Sequence, residues 1–408
     1  PTPLTVILWL KRAPNPLKIR PLTSALRAFP LKIKKKSTVP RILAATGLDE
    51  TDVRYATGLV APDPFLLLLV GNRRHLVVSA LEAARARRAC PGAQVHTPAT
   101  LFGEGGPRRR SLGAQAIALM KKLGLRTVAA GPWFPLGIAR ALQSAGVRVL
   151  LVRTPPFPQR AVKTPREIAC IAKSQRAAVA AMRTAVRTLR TAAISRTGLL
   201  RHAGRPLTSE RLRELIEQTL LERGCSAAGT IVAVGAQGAR PHDVGSGPLR
   251  AGAPIVIDIF PRDKTTGYWG DLTRTVVRGP AAAEFRRLHR TVRTAQQLAF
   301  SMLRPGTEAR AVQHAVEEHF RRAGFITQLS PPGRERGFIH SLGHGVGLDI
   351  HESPGLRHEP GRLAAGNVIT VEPGLYLPGR GGVRIEDTVV ITRTGYKILA
   401  SFPRKLET

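Results

Sequence analysis

Four acidic residues stand at the ends of apolar, strand-like runs, and they fall into two pairs, each flanking a turn. Ile255-Val256-Ile257 runs into Asp258, and Asp271 opens Leu272-Thr273-Arg274-Thr275-Val276-Val277 beyond Thr265-Thr266-Gly267. In the second half Val371 leads into Glu372-Pro373-Gly374, the chain reverses at Gly379-Arg380-Gly381-Gly382, and Arg384-Ile385-Glu386-Asp387 begins the return. A hairpin sets the two carboxylates of a pair side by side. Like charges a few ångströms apart in apolar surroundings cannot all stay ionised without a compensating cation. The fold must therefore bring both turns to one cation-binding centre, and His344 lies between them in the loop Gly343-His344-Gly345-Val346-Gly347.

Asp258, Asp271, Glu372, Glu386 and His344 make a mainly hard donor set, suited to Mn²⁺ or a similar divalent ion (Co²⁺, Zn²⁺ or Fe²⁺) and poor for a thiolate zinc site. Two such ions ~3.5–4 Å apart would supply a water nucleophile and polarise a carbonyl. Hydrolysis is the chemistry this set suits.

The chain's 408 residues suffice for two domains. Pro1 to Pro40 carries nine basic residues and no acid, mixes in prolines, and reads as a disordered basic tail; those prolines would break the amphipathic helix of a transit segment. From Arg41 to Thr164, strand-like runs (Phe65–Val70, His75–Ser79, Thr127–Ala130, Val147–Val152) alternate with helical ones (Leu81–Ala89, Pro135–Ala145), which predicts a three-layer α/β domain. Lys163-Thr164-Pro165 opens a long helix and the second domain, residues 165–408. Further helices are expected over Ser209–Arg223, Ala282–Leu303 and Glu308–Ala323. Strands are expected over Thr230–Val234, Pro254–Phe260, Asp271–Val277, Asn367–Val371 and Val383–Thr392, which makes this part α+β.

Taken together, these motifs resemble the pita-bread metallopeptidases, a group that includes methionine aminopeptidase, aminopeptidase P and prolidase. The resemblance covers roughly Lys163 to Ala400, while Tyr55-Ala56-Thr57-Gly58 and Pro62-Asp63-Pro64-Phe65 resemble the creatinase-type N-terminal domain of the proline-specific members. It implies an α/β N-terminal domain followed by an α+β pita-bread catalytic domain. It also implies a dinuclear centre held by Asp258, Asp271, His344, Glu372 and Glu386, with Glu372 accepting the proton of the attacking water. By the same resemblance His242, His340 and His351 line the substrate cleft. His351 would stabilise the tetrahedral intermediate and His242 would hold the substrate backbone, whereas His340 either touches substrate or braces the site. Arg384 matches an arginine of the proline-specific branch, and Tyr268 is a candidate to complete its hydrogen-bond network. Asp271 lies thirteen positions after Asp258, longer than the usual family spacing. Asp263 is thus a competing first ligand, but its Pro-Arg-Asp-Lys context reads as a surface turn.

The leading expectation is an aminopeptidase that removes an N-terminal residue preceding proline, as a homo-oligomer in which one copy's first domain completes its neighbour's cleft. The alternative is prolidase, restricted to Xaa-Pro dipeptides. A non-catalytic module for RNA or histones, or a metal-free creatinase-like hydrolase, would not need the intact carboxylate set. The net charge of +36 (63 Lys and Arg against 27 Asp and Glu) is dispersed along the chain, which argues for basic composition over a nucleic-acid footprint. Cys90, Cys170 and Cys225 show no metal or disulfide spacing, and no apolar run reaches membrane-spanning length, so a reducing cytoplasm fits. Cys170 is expected in the core.

Overall fold

A computed structural model describes residues 39–45, 50–103, 111–227 and 229–408. The expected basic tail lies almost wholly outside the described residues.

The first body is a six-stranded mixed sheet. Its elements are β1 (Arg41–Ala45), α1 (Thr51–Thr57), β2 (Phe65–Val70), β3 (Arg73–Val77), α2 (Ala83–Ala89), β4 (Gln94–His96), α3 (Pro98–Phe102), α4 (Leu112–Lys122), β5 (Thr127–Ala130), α5 (Leu136–Ser144) and β6 (Arg148–Leu151). The strand order is β4-β3-β2-β1-β5-β6. Strand β2 reads Phe-Leu-Leu-Leu-Leu-Val without alternation because both of its faces are covered. Leu66 and Leu68 pack with Leu119, Met120, Ile138 and Leu142 of α4 and α5. Phe65, Leu67 and Leu69 pack on the opposite side with Val53, Ala56, Ala83 and Ala86 of α1 and α2. That gives the three layers expected from the sequence.

The second body begins with α6 (Pro165–Thr191), whose first turn carries Pro165 and a capping box in which Thr164 and Glu167 satisfy each other's backbone N–H groups. There follow β7 (Ala193–Ile194), β8 (Leu200–His202), β9 (Arg205–Pro206), α7 (Ser209–Glu222), β10 (Cys225–Ser226), β11 (Ile231–Val234), β12 (Ile255–Ile259), β13 (Arg262–Asp263), β14 (Leu272–Val276), α8 (Ala283–Met302) and α9 (Ala309–Arg322). The remaining strands are β15 (Gly343–Gly345), β16 (Glu352–Leu356), β17 (Val368–Val371), β18 (Gly374–Leu377), β19 (Gly381–Arg384), β20 (Asp387–Ile391) and β21 (Tyr396–Ile398). Helices α6 and α7 share one apolar core with β12 and β14. Helices α8 and α9 share a second with β17 and β20. Sheets β11-β12-β14 and β16-β15-β17-β20-β21 therefore face inward with helices outside, the pita-bread arrangement that the resemblance implied. A third cluster joins the two bodies: Tyr55 and Phe157 meet Ile171, Tyr268, Val346 and Val390.

Two expectations need correction. The stretch Val383–Thr392 is not one strand: it breaks at Ile385 and Glu386, where pairing passes from β18 to β17. The Gly343–Gly347 segment is not a loop at its start but strand β15, squeezed between β16 and β17. Its glycines are needed because a Cβ at Gly343 would lie 2.1 Å from the Thr370 carbonyl oxygen, and one at Gly345 would lie 2.3 Å from that of Glu352. No helix among the described residues is long and apolar enough to cross a membrane.

Candidate active site

Strands β12 and β14 pair with Asp258 opposite Thr273 and Ile259 opposite Leu272, so Asp258 and Asp271 emerge together at one end of the pair. The excursion between them is no tight hairpin, since it contains β13, which pairs with β10. In the other sheet Val371 lies opposite Asp387, so Glu372 and Glu386 emerge together in turn. All four carboxylates and His344 line one cavity of about 840 Å³, which also receives His242, His340, His351 and Arg384. Every site residue expected from the sequence is thus brought to this cavity except Tyr268.

The hydrogen bonds of His344 fix how its ring is used. Its Nδ1 lies 3.1 Å from the Gly345 carbonyl oxygen, which can only accept, so Nδ1 carries the hydrogen. Nε2 therefore presents a lone pair 3.3 Å from Glu372 Oε1 and 3.5 Å from Asp271 Oδ2. Burial holds the imidazole pKa below its ordinary value, which keeps that lone pair free. A lone pair aimed at carboxylate oxygens is repulsive unless a cation lies among them.

The carboxylates carry the same signature. Burial first, then the charges of Glu386, Asp258 and Glu372, raise the Asp271 pKa well above its usual range. Glu386 is raised for the same reasons. Burial pushes Glu372 up to about 8, against the pull of Arg384. Asp258 Oδ1 and Glu386 Oε1 are buried without a hydrogen-bond partner. Asp271, His344 and Glu386 bring ligand atoms within 4.8 Å of one another. On this donor chemistry and these two orphaned oxygens, the residues fit a divalent metal centre.

The other oxygens are positioned by residues the sequence reading missed. Thr273 Oγ1 donates to Glu386 Oε2 at 2.7 Å. Thr370 Oγ1 donates to Glu372 Oε1 at 3.0 Å and accepts from the His344 backbone N–H at 3.0 Å. Gln175 on α6 clamps both backbone groups of Asp271, each at 2.7 Å. Beneath the site, buried Arg274 donates to Asp387 Oδ1 at 2.8 Å and to the Glu386 carbonyl. Thr273 and Thr370 sit in ordinary strand sequences, Leu-Thr-Arg-Thr-Val and Val-Ile-Thr-Val, where a β-branched threonine gives no warning of function.

Arg384 donates to Asp258 Oδ2 at 2.8 Å and to the Tyr376 hydroxyl at 3.0 Å. Burial opposes its charge, yet Tyr376, Asp258 and Glu372 hold its pKa above the ordinary value. His340 donates from Nδ1 to the Ser341 carbonyl, so its Nε2 accepts the Tyr376 O–H at 2.8 Å. Both ring nitrogens are thereby committed to groups of the protein itself. Gly374 leaves room for this chain, because a Cβ there would lie 2.7 Å from the Tyr376 hydroxyl. Tyr376 thus takes the place expected of Tyr268, whose hydroxyl instead donates to Glu167 at 2.9 Å. The His351 ring stands edge-on to His344 with centroids 4.2 Å apart.

Asp263 is no ligand, and it is not on the surface. It is fully buried, pairs with Lys173 at 2.5 Å, and accepts from the Thr265 and Thr266 N–H groups. A turn-forming aspartate here was folded inward because β13 pairs with β10. The cysteines are all free; Cys90 and Cys225 are buried and Cys170 is partly so, at the edge of the shared core.

Fold and site define a pita-bread protein whose inner sheets present a carboxylate-and-histidine centre fitted to divalent metal. The chain belongs to metallopeptidase family M24, whose model matches residues 169–393, more than half of its length. Over 179 residues it is 40% identical to the Xaa-Pro dipeptidase of Pyrococcus furiosus, a match covering 43% of this chain and 48% of that protein. The chain therefore matches about half the length of such curated relatives. Among solved structures it resembles the prolidase from Pyrococcus furiosus, with 26% identity, a TM-score of 0.73, and coverage of 90% of this chain and 98% of that one. It also shares the fold of the X-Pro aminopeptidase from Thermotoga maritima, with 24% identity, a TM-score of 0.73, and coverage of 91% and 98%. The relative and both structures bear Xaa-Pro or prolidase names.

Proposed function

We propose that this protein is a metal-dependent Xaa-Pro dipeptidase, a prolidase, with Asp258, Asp271, His344, Glu372 and Glu386 holding two divalent ions, most suitably Mn²⁺. The observation that carries the reading is the lone pair of His344 Nε2 facing buried carboxylates, two of whose oxygens lack partners. The sequence favoured an aminopeptidase. The dipeptidase reading now stands first because the relative matched at 40% identity bears that name, whereas the aminopeptidase likeness is one of fold. We also read residues 41–164 and 165–408 as separate domains, and a homo-oligomer as the working assembly.

When bound, the ions supply an activated water and polarise the scissile carbonyl. The chain's own residues do the rest. Glu372, held by Thr370, is placed to take the water's proton. His351, whose pKa burial lowers to about 4, stays neutral and donates a hydrogen bond to the developing oxyanion. His242 faces the substrate backbone across the cavity, and Arg357 on the cavity wall offers a cation for the free carboxylate of a dipeptide. Arg384, Tyr376 and His340 keep Asp258 in position.

The test is a peptide-length panel with metal content measured by mass spectrometry. Two Mn²⁺ per chain and cleavage of Xaa-Pro dipeptides alone are expected. Comparable cleavage of longer Xaa-Pro peptides would return the assignment to aminopeptidase. A metal-loaded protein that hydrolyses neither, and binds RNA in a salt-sensitive way, would identify a binding module instead.

A further inference from the structure

At the rim of the cleft, outside the five-residue centre, two histidines converge on one carboxylate. His314 and Glu317 lie three apart on α9, and His358 comes from the segment after β16. His314 Nδ1 is 3.1 Å from Glu317 Oε2, and His358 Nε2 is 3.0 Å from Glu317 Oε1. The two imidazole centroids are 4.9 Å apart. Ligand atoms of all three residues lie within 4.8 Å of one another. Tetrahedral zinc with bonds of ~2.0–2.2 Å sets its ligand atoms ~3.3–3.5 Å apart, so small side-chain rotations suffice to enclose it.

The carboxylate is held in place. Gln313, buried to 2% exposure, donates from Nε2 to Glu317 Oε1 at 2.7 Å and accepts the Leu342 backbone N–H at 2.6 Å. Oriented carboxylates of this kind are what support a metal's ligands. The same Leu342 accepts from the Glu372 backbone N–H through its carbonyl at 2.8 Å, so the rim cluster and the catalytic centre share one anchoring residue just before β15. On the other side, Arg357, His358 and Glu359 form part of the cavity wall.

We propose that His314, Glu317 and His358 form a peripheral zinc site, with water as the fourth ligand, that ties the cavity-wall segment 357–359 to α9. The donor set of two imidazoles and one carboxylate suits Zn²⁺ and is too nitrogen-rich for Mg²⁺ or Ca²⁺. Ions bound here narrow the freedom of the cleft mouth without entering the five-residue centre.

The test is histidine footprinting with diethyl pyrocarbonate on the Mn²⁺-loaded protein, with and without added Zn²⁺, mapped by mass spectrometry. His314 and His358 are exposed enough to react, and each is read separately from the buried histidines. With zinc at about ten times its dissociation constant a ligated ring is free roughly a tenth of the time. Modification of both residues should slow about tenfold. In His314→Gln the protection of His358 should vanish, and in His358→Gln that of His314, with melting temperatures confirming that both variants fold. Unchanged rates in the parent protein, or protection of one histidine that survives loss of the other, overturns the proposal. Neither readout depends on catalysis, so the result stands apart from the dipeptidase assignment.

Discussion

Asp387→Asn tests how the second carboxylate pair is supported. Asp387 is fully buried, and its Oδ1 accepts from Arg274 while Oδ2 accepts from Arg404 Nε at 2.9 Å and Gln296 Nε2 at 3.1 Å. Asparagine keeps the shape but removes the charge, and either amide orientation points an NH₂ at a group that can only donate. Arg404 is 26% exposed at its side chain and can turn to water; Arg274, at 1%, cannot. The cost is therefore that of a buried guanidinium without its counter-charge, ~3–5 kcal/mol. Burial already pulls the Arg274 pKa down, and Asp387 is the main group opposing it. Urea unfolding of parent and variant at pH 7 measures the difference. Glu284→Gln serves as the comparison, for its exposed pair with Arg380 is worth less than ~1 kcal/mol. A loss for Asp387→Asn no larger than that of Glu284→Gln refutes the argument.

Tyr376→Phe removes the hydroxyl between Arg384 and His340; a buried bond to a charged group is worth ~1.5–3 kcal/mol, so kcat/KM on an Xaa-Pro dipeptide should fall by ~10–100-fold with metal content unchanged, and an unaltered kcat/KM would contradict the bracing role. Arg160→Gln frees Asp349 and Glu352, which flank His351, from their shared link to Asp52 on α1; KM should rise more than kcat falls, and a pure kcat effect would count against it. His289 on α8 has its pKa lowered to about 4, first by burial and then by Arg293 and Arg274. Its folded value lies below the unfolded ~6.5, so the unfolded chain binds the proton first and stability drains as pH falls from about 6.5 to about 4. The stability of His289→Gln should therefore decline less between pH 7 and pH 5 in urea unfolding; equal declines would reject this.

Strand ends carrying acids and Pro165 behind Thr164 were legible one residue at a time, because each is a local signal with one dominant physical cause. Asp258, Asp271, His344, Glu372 and Glu386, which meet in one cavity, could thus be singled out from the chain alone, along with the three-layer class of the first half and the α+β class of the second. Partner choice could not be read in this way. Whether Tyr268 or Tyr376 would meet Arg384 depended on which hydroxyl the fold brought within 2.8–3.0 Å of His340 and the arginine, and nothing in the residues around either tyrosine decides that. Asp263 looked like a surface turn until β13 found β10, a pairing between residues far apart in the chain. The rim cluster joins His314 and Glu317 of one helix to His358, a partner that no local spacing announces. Patterning records which side chains must leave water, since burial acts on each residue separately; which of them then meet is decided only when the sheets close on one another, since contact is a property of pairs.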